Sequence, residues 1–70
     1  MIDWQLLMIS LRTHYKPIAA VARETGLDYQ HLERLAAGSV AEPRFNSGVR
    51  LLDLAYDHLP PEIFTRIRIQ

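Results

Sequence analysis

Gln30, Arg34 and Ala37 recur at helical spacing, and His31 and Glu33 flank them. At about 100° per residue, that spacing gathers an amide, a guanidinium, an imidazole and a carboxylate on or beside one strip of a helix. These groups donate and accept hydrogen bonds in fixed planar geometries. Tyr29 falls nearer the core edge of the same helix. Nothing in the chain is arranged for making or breaking bonds. His14, His31 and His58 lack ligand spacing, and no His-Glu-x-x-His pattern occurs. Gly26, Gly38 and Gly48 stand singly, so no glycine-rich loop cradles a phosphate. The sequence therefore predicts recognition by hydrogen bonding, with no catalytic residues, no metal and no cofactor.

Such a strip needs a scaffold, and residues 18–35 supply its pattern. Val21 and Ala22 precede Gly26, Leu27 follows it, and Leu32 and Leu35 come at helical spacing. The stretch reads as two short helices hinged at Gly26, the pattern of a helix-turn-helix, whose second helix enters the DNA major groove. Pro17 fits the first turn of the earlier helix, where a missing N–H costs nothing. Ile18, Val21 and Ala22 form its buried face. Gly26 ends it in the left-handed conformation that glycine adopts cheaply. Asp28 caps the next helix, from about Tyr29 to Ala37, and Gly38 closes it. Leu32, Leu35 and Ala36 face inward.

The remaining elements are supports. Asp3 caps a helix running to Thr13 or His14, with Ile2 and Leu7 placed for a hydrophobic staple. Trp4, Leu7, Met8 and Leu11 form its stripe, widened by Leu6 and Ile9. Ser39–Phe45 reads as a loop, with Phe45 folded back as a core anchor. Asn46 or Ser47 caps a fourth helix whose apolar positions are Val49, Leu52, Ala55, Tyr56 and Leu59. Pro60 and Pro61 stop it. The tail, Glu62–Gln70, fits two patterns. Ile63, Phe64 and Ile67 suit a helical turn started by Pro61, whereas Ile67 and Ile69 alternating with Arg66, Arg68 and Gln70 suit a strand. The expected form is a short helix with an extended end.

Seventy residues make one domain, and 49% hydrophobic content is ample for its core. A domain this small buries only about 60% of its unfolded surface, so its stability is marginal. The absence of cysteine removes disulfides and thiolate metal sites and fits a reducing, cytoplasmic compartment. No apolar run reaches the ~18–20 residues that span a bilayer, and no signal peptide is read at the start. Formal net charge is zero. Nucleic-acid-binding domains draw much of their affinity from basic excess. A DNA-binding face here requires charge segregated onto one side.

The stretch from Ile18 to Phe45 resembles the Cro/C1-type (XRE-like) helix-turn-helix regulators of bacteriophages and bacteria. Val21-Ala22, Gly26-Leu27, Leu32, Leu35 and Gly38 carry the resemblance. Glu42-Pro-Arg-Phe and Val49-Arg-Leu-Leu-Asp-Leu extend it toward small phage Cro-like repressors, over about residues 3–59. Thr25 departs from the pattern, standing where the family usually has an apolar residue. The resemblance implies an all-α, lambda-repressor-like domain of four to five helices. Its helix-turn-helix spans about residues 17–37, and the tail, about 60–70, serves as a dimer element. It also implies a transcriptional regulator that represses by occupying a double-stranded operator in the cytoplasm of a bacterial host.

On that resemblance the helix of Gln30 and Arg34 is the recognition helix. Gln30 would bond an adenine edge or Arg34 a guanine edge. Tyr29 would touch a phosphate or a thymine methyl, and His31 would lie at the contact. Glu33 would accept from a cytosine amino group or pair with an arginine. Lys16, Ser39, Arg44, Asn46 and Ser47 would hold phosphates, with Lys16 at the start of the second helix and Asn46 and Ser47 at the start of the fourth. A single module buries modest surface on DNA, so a homodimer on two half-sites is expected. Ile63, Phe64, Ile67 and Ile69, with the fourth helix, would assemble it. The competing expectation is an adaptor or antitoxin-like interaction module built on the same fold, which the neutral charge and Glu33 favour. No small-molecule ligand and no membrane are expected as partners.

Overall fold

Asp3 starts the first helix by accepting the Leu6 N–H at 3.0 Å through its side chain. That bond satisfies one of the donors a helix start leaves open. The computed structural model describes residues 1–69, the last of them in its backbone only. Five helices run through them: α1 (Trp4–His14), α2 (Ile18–Thr25), α3 (Tyr29–Ala37), α4 (Phe45–His58) and α5 (Pro61–Ile69). No strand occurs among the described residues. The all-α expectation holds in its five-helix form. The tail is helical through Ile69, so the expected extended end is absent from the described residues. Pro61 is the first residue of α5, the position where its fixed φ suits a helix start. No helix among the described residues is long and apolar enough to cross a membrane.

α1 sits at the centre and packs against each of the other four helices. Its Leu7, Met8 and Leu11 are fully buried among Val21, Leu32, Leu35, Leu51 and Ile67. Every helix thus contributes to one core. The Cα radius of gyration is 10.5 Å, against about 11 Å for a well-packed chain of this length. α5 is tied back to the chain's beginning by the Asp3 N–H, which donates to the Ile67 carbonyl at 2.9 Å.

The α2–α3 turn forms as its residue types dictate. Gly26 takes φ 73° and returns its N–H to the Ala22 carbonyl at 2.9 Å. Only glycine occupies this left-handed region without a Cβ penalty. The Thr25 hydroxyl donates to the Val21 carbonyl at 2.8 Å and accepts the Leu27 N–H at 3.3 Å. Its polar group is therefore absorbed inside the turn. The Asp28 carboxylate caps α3 by accepting the His31 N–H at 3.0 Å. At the far end, the Gly38 and Ser39 N–H groups bond the Leu35 and Arg34 carbonyls, a Schellman closure.

Three boundary expectations change. Pro17 stands at the N-cap of α2, one residue before its first turn. α4 begins at Phe45 with Arg44 as N-cap, where Asn46 or Ser47 was expected. The Gly48 N–H closes the first turn on the Arg44 carbonyl at 2.8 Å, directly behind Pro43, so Asn46 and Ser47 fall inside that turn. Phe45 is 82% exposed, and so is no core anchor.

The face of α4 also differs. Gly48, Leu51 and Ala55 point into the core, with Leu59 buried below them. Val49 and Tyr56 are exposed and Leu52 is half-buried. Phe45, Val49 and Tyr56 lie roughly 100° round the helix from the inward residues. The cause is a close approach: a Cβ on Gly48 would come within 3.1 Å of Trp4 Cη2. The bare backbone at Gly48 lets the Trp4 ring close on α4, and that contact selects the inward face.

Candidate nucleic-acid interface

α3 presents the strip that its spacing predicted. Leu32 and Leu35 are fully buried beneath it, and Gln30, Arg34 and Ala37 are exposed. Two contacts hold this helix in place that the sequence did not reveal. Gln5 Nε2 donates to the Ala36 carbonyl at 3.2 Å, pinning the end of α3 to α1. Arg50 Nη1 donates to the Thr25 carbonyl at 2.9 Å, pinning α4 to the turn. Their partners stand 31 and 25 residues away in the chain, beyond the reach of local periodicity.

Tyr29 is 46% exposed, farther from the core than expected. Its hydroxyl donates to Glu33 Oε2 at 2.7 Å, one helical turn on. Hydrogen bonding to that carboxylate, aided by its charge, pushes the Tyr29 phenol pKa up. The Tyr29–Glu33 pair thereby occupies one edge of the strip. His31 is half-buried, and its Nε2 is shielded from solvent with no hydrogen-bond partner among the described residues.

His31 lines a groove of about 380 Å³ between the α2–α3 turn, α3 and the start of α4. Arg34, Arg44, Ser47 and Asp28 also line it. Asp28 accepts the His31 N–H in capping α3, and the groove carries two guanidiniums and a hydroxyl against that one carboxylate. An adjoining hollow shares Leu27, Arg44 and Ser47 and adds Asn46 and Arg50. The start of α4 has no side-chain cap, so its first N–H groups are left uncapped by any side chain, at the positive end of the helix dipole. Together these features make a concave, cationic notch beside a polar helix face. They suit an anion held against the protein while α3 meets a flat hydrogen-bonding edge.

The structure brings together His31, Arg34, Arg44, Asn46 and Ser47, with Gln30 on the adjacent strip. It does not bring Lys16 or Ser39 to the groove. Lys16 Nζ is 2.8 Å from Glu24 Oε1. The Tyr15 hydroxyl donates to the same carboxylate at 2.7 Å and its ring stacks on His58 at 4.1 Å. This cluster draws the Lys16 charge onto α2. Hydrogen bonds from Lys16 and then Tyr15 hold the Glu24 carboxyl below its usual range. Ser39 is exposed at the opposite end of α3, in the Schellman closure.

The expected dimer residues divide. Ile67 is fully buried in the chain's own core and so offers nothing to a second protomer. The helical form of the tail turns Ile67 inward, where the Asp3 bond to its carbonyl holds α5 against α1. Ile63 and Phe64 are half-buried against the same core. Phe64 meets Tyr56 edge-to-face at 5.6 Å. The Ile69 side chain lies outside the described residues. No protein-family model, curated protein or solved structure matches the chain.

Proposed function

We infer that this chain is a sequence-specific, double-stranded-DNA-binding regulator of transcription, of the Cro-like repressor kind, acting as a homodimer in the bacterial cytoplasm. The observation that carries the reading is the notch of Arg34, Arg44 and Ser47 at the uncapped start of α4, set beside the exposed strip of α3. A DNA phosphate in that notch would meet Arg44, Ser47 and the first N–H groups of α4. That contact fixes register and orientation but carries no sequence information. α3 would then lie in the major groove, with Gln30 placed for an adenine edge and Arg34 for a guanine edge. Formal net charge is zero, but Arg34 and Arg44 line the one groove and Arg50 the hollow beside it.

The test is fluorescence anisotropy with DNA from upstream of the protein's own gene and random DNA of equal length, at two salt concentrations. The expected result is tighter binding to the upstream DNA, weakening steeply with salt. Arg34→Ala should lose about 10- to 100-fold in specific affinity. Arg44→Ala should weaken all sequences alike and shallow the salt slope by about one. Equal binding by wild type and Arg34→Ala overturns the assignment of the reading face. The second reading, a protein-interaction module, draws on the neutral total charge and the large apolar groups exposed on α4. It predicts a partner complex insensitive to salt and no sequence preference on DNA.

A further inference from the structure

Three of the five large apolar side chains exposed among the described residues come from one helix: Phe45 at 82%, Val49 at 41% and Tyr56 at 74%. Half-buried Leu52 completes their line. The spacing Phe45–Val49–Leu52–Tyr56 is four, three, four, an a/d heptad seam about 16 Å long. A surface this apolar on a small chain marks a contact.

We propose that this seam is the homodimer interface, with α4 of one protomer packed antiparallel against α4 of a second copy. Two features favour a second copy as the occupant. First, the spacing reads the same in both directions. A two-fold axis midway between Arg50 and Leu51 places Phe45 against the partner's Tyr56 and Val49 against the partner's Leu52. This gives aromatic on aromatic and aliphatic on aliphatic throughout, the self-complementarity that an isologous contact requires.

Second, the flank toward α1 and α5 offers a carboxylate, Glu42, at the start of the seam and a guanidinium, Arg68, at its end. At the start of α4 a hollow of about 350 Å³ is lined by Trp4, Pro43, Phe45 and Leu52, together with Glu42 and Arg44. At its end a hollow of about 380 Å³ is lined by Tyr56, Leu59, Pro61 and Phe64, together with Arg68. The same axis brings each hollow to the other one across the interface, and Glu42 to the partner's Arg68. The seam replaces Ile67 as the dimer contact and keeps Phe64 at its margin. It stands on this surface alone and holds whether or not the chain binds DNA.

The test is sedimentation equilibrium of the full chain without DNA, over a concentration range reaching about 100 μM and beyond. The expected result is a mass rising from the 8.1 kDa protomer to twice that. The exposed pair Phe45→Ser with Tyr56→Ser should weaken dimerisation about tenfold or more, with helical content unchanged by circular dichroism. Glu42→Arg and Arg68→Glu should each weaken it, and the two together should restore it. Because the chain has no cysteine, oxidising a mixture of the Phe45→Cys and Tyr56→Cys proteins reads the register directly. The mixed disulfide should exceed either symmetric one. A wild type that stays monomeric, a dimer that survives the double serine variant, or dominance of a symmetric disulfide overturns the proposal. Each of these outcomes is independent of any DNA measurement.

Discussion

The outer strips of α3 and α4 are both exposed, and they expose opposite chemistry. On α3 the side chains facing water are Gln30 and Arg34, above fully buried Leu32 and Leu35. On α4 they include Phe45, Val49 and Tyr56. α3 is one-sided, so its period alone fixes which residues face inward. α4 is apolar over more than half its circumference, and the choice of inward face falls to a tertiary contact, the seating of Trp4 on Gly48. A helix with one apolar stripe reports its orientation. A helix with two reports only that something else must cover the second.

The contrast can be broken most severely from beneath α3. Leu35→Ala removes a fully buried side chain and should cost about 2–5 kcal/mol. In so small a domain that is a large share of total stability, visible as a collapse of the thermal unfolding midpoint. Gly26→Ala comes next. The site has space, with Arg50 Nη1 3.6 Å from the added Cβ, but its φ of 73° is wrong for alanine. The expected loss is about 1–2 kcal/mol by chemical denaturation. On α4 the outcome is nearly nil: Phe45→Ala should change protomer stability by no more than about 0.5 kcal/mol. A core phenylalanine would cost about 3–5 kcal/mol, so calorimetry at concentrations where the chain is monomeric separates the two placements.

The smallest effect concerns pH. Glu24 has its carboxyl pKa lowered, first by the Lys16 hydrogen bond and then by that of Tyr15. A carboxylate depressed in the folded state contributes above its unfolded pKa, and the contribution is lost as pH falls through the folded value. Acidification through the ordinary glutamate range, about pH 4, and below should therefore lower the melting temperature slightly more in wild type than in Glu24→Gln. The cluster is solvent-exposed, which keeps the difference small.

Much of the framework was legible because it rests on local rules. Asp3 and Asp28 announced helix starts, Gly26 and Gly38 announced helix ends, and Leu32 and Leu35 marked the inward side of α3. The misplaced residues share a different cause. Ile67 fits a strand and a helix equally well by local pattern, and only its neighbours in space turn it inward. Phe45 is apolar and follows a proline loop, which resembles an anchor until the α4 register is known. Of the notch, Arg34, Arg44 and Ser47 could be named from residue type and expected position. Their meeting in one groove depends on Arg50 reaching the Thr25 carbonyl, a link between segments that no periodicity connects.

The bond from the Asp3 N–H to the Ile67 carbonyl has a topological consequence. It holds the two ends of the helical core side by side. The order in which they are strung is then separable from the way they pack. A short linker joining the ends, with a new opening in the exposed loop at Ala41–Glu42, would yield a circular permutant with the same core. In it the polar strip of α3 and the apolar seam of α4 would belong to opposite termini of one chain.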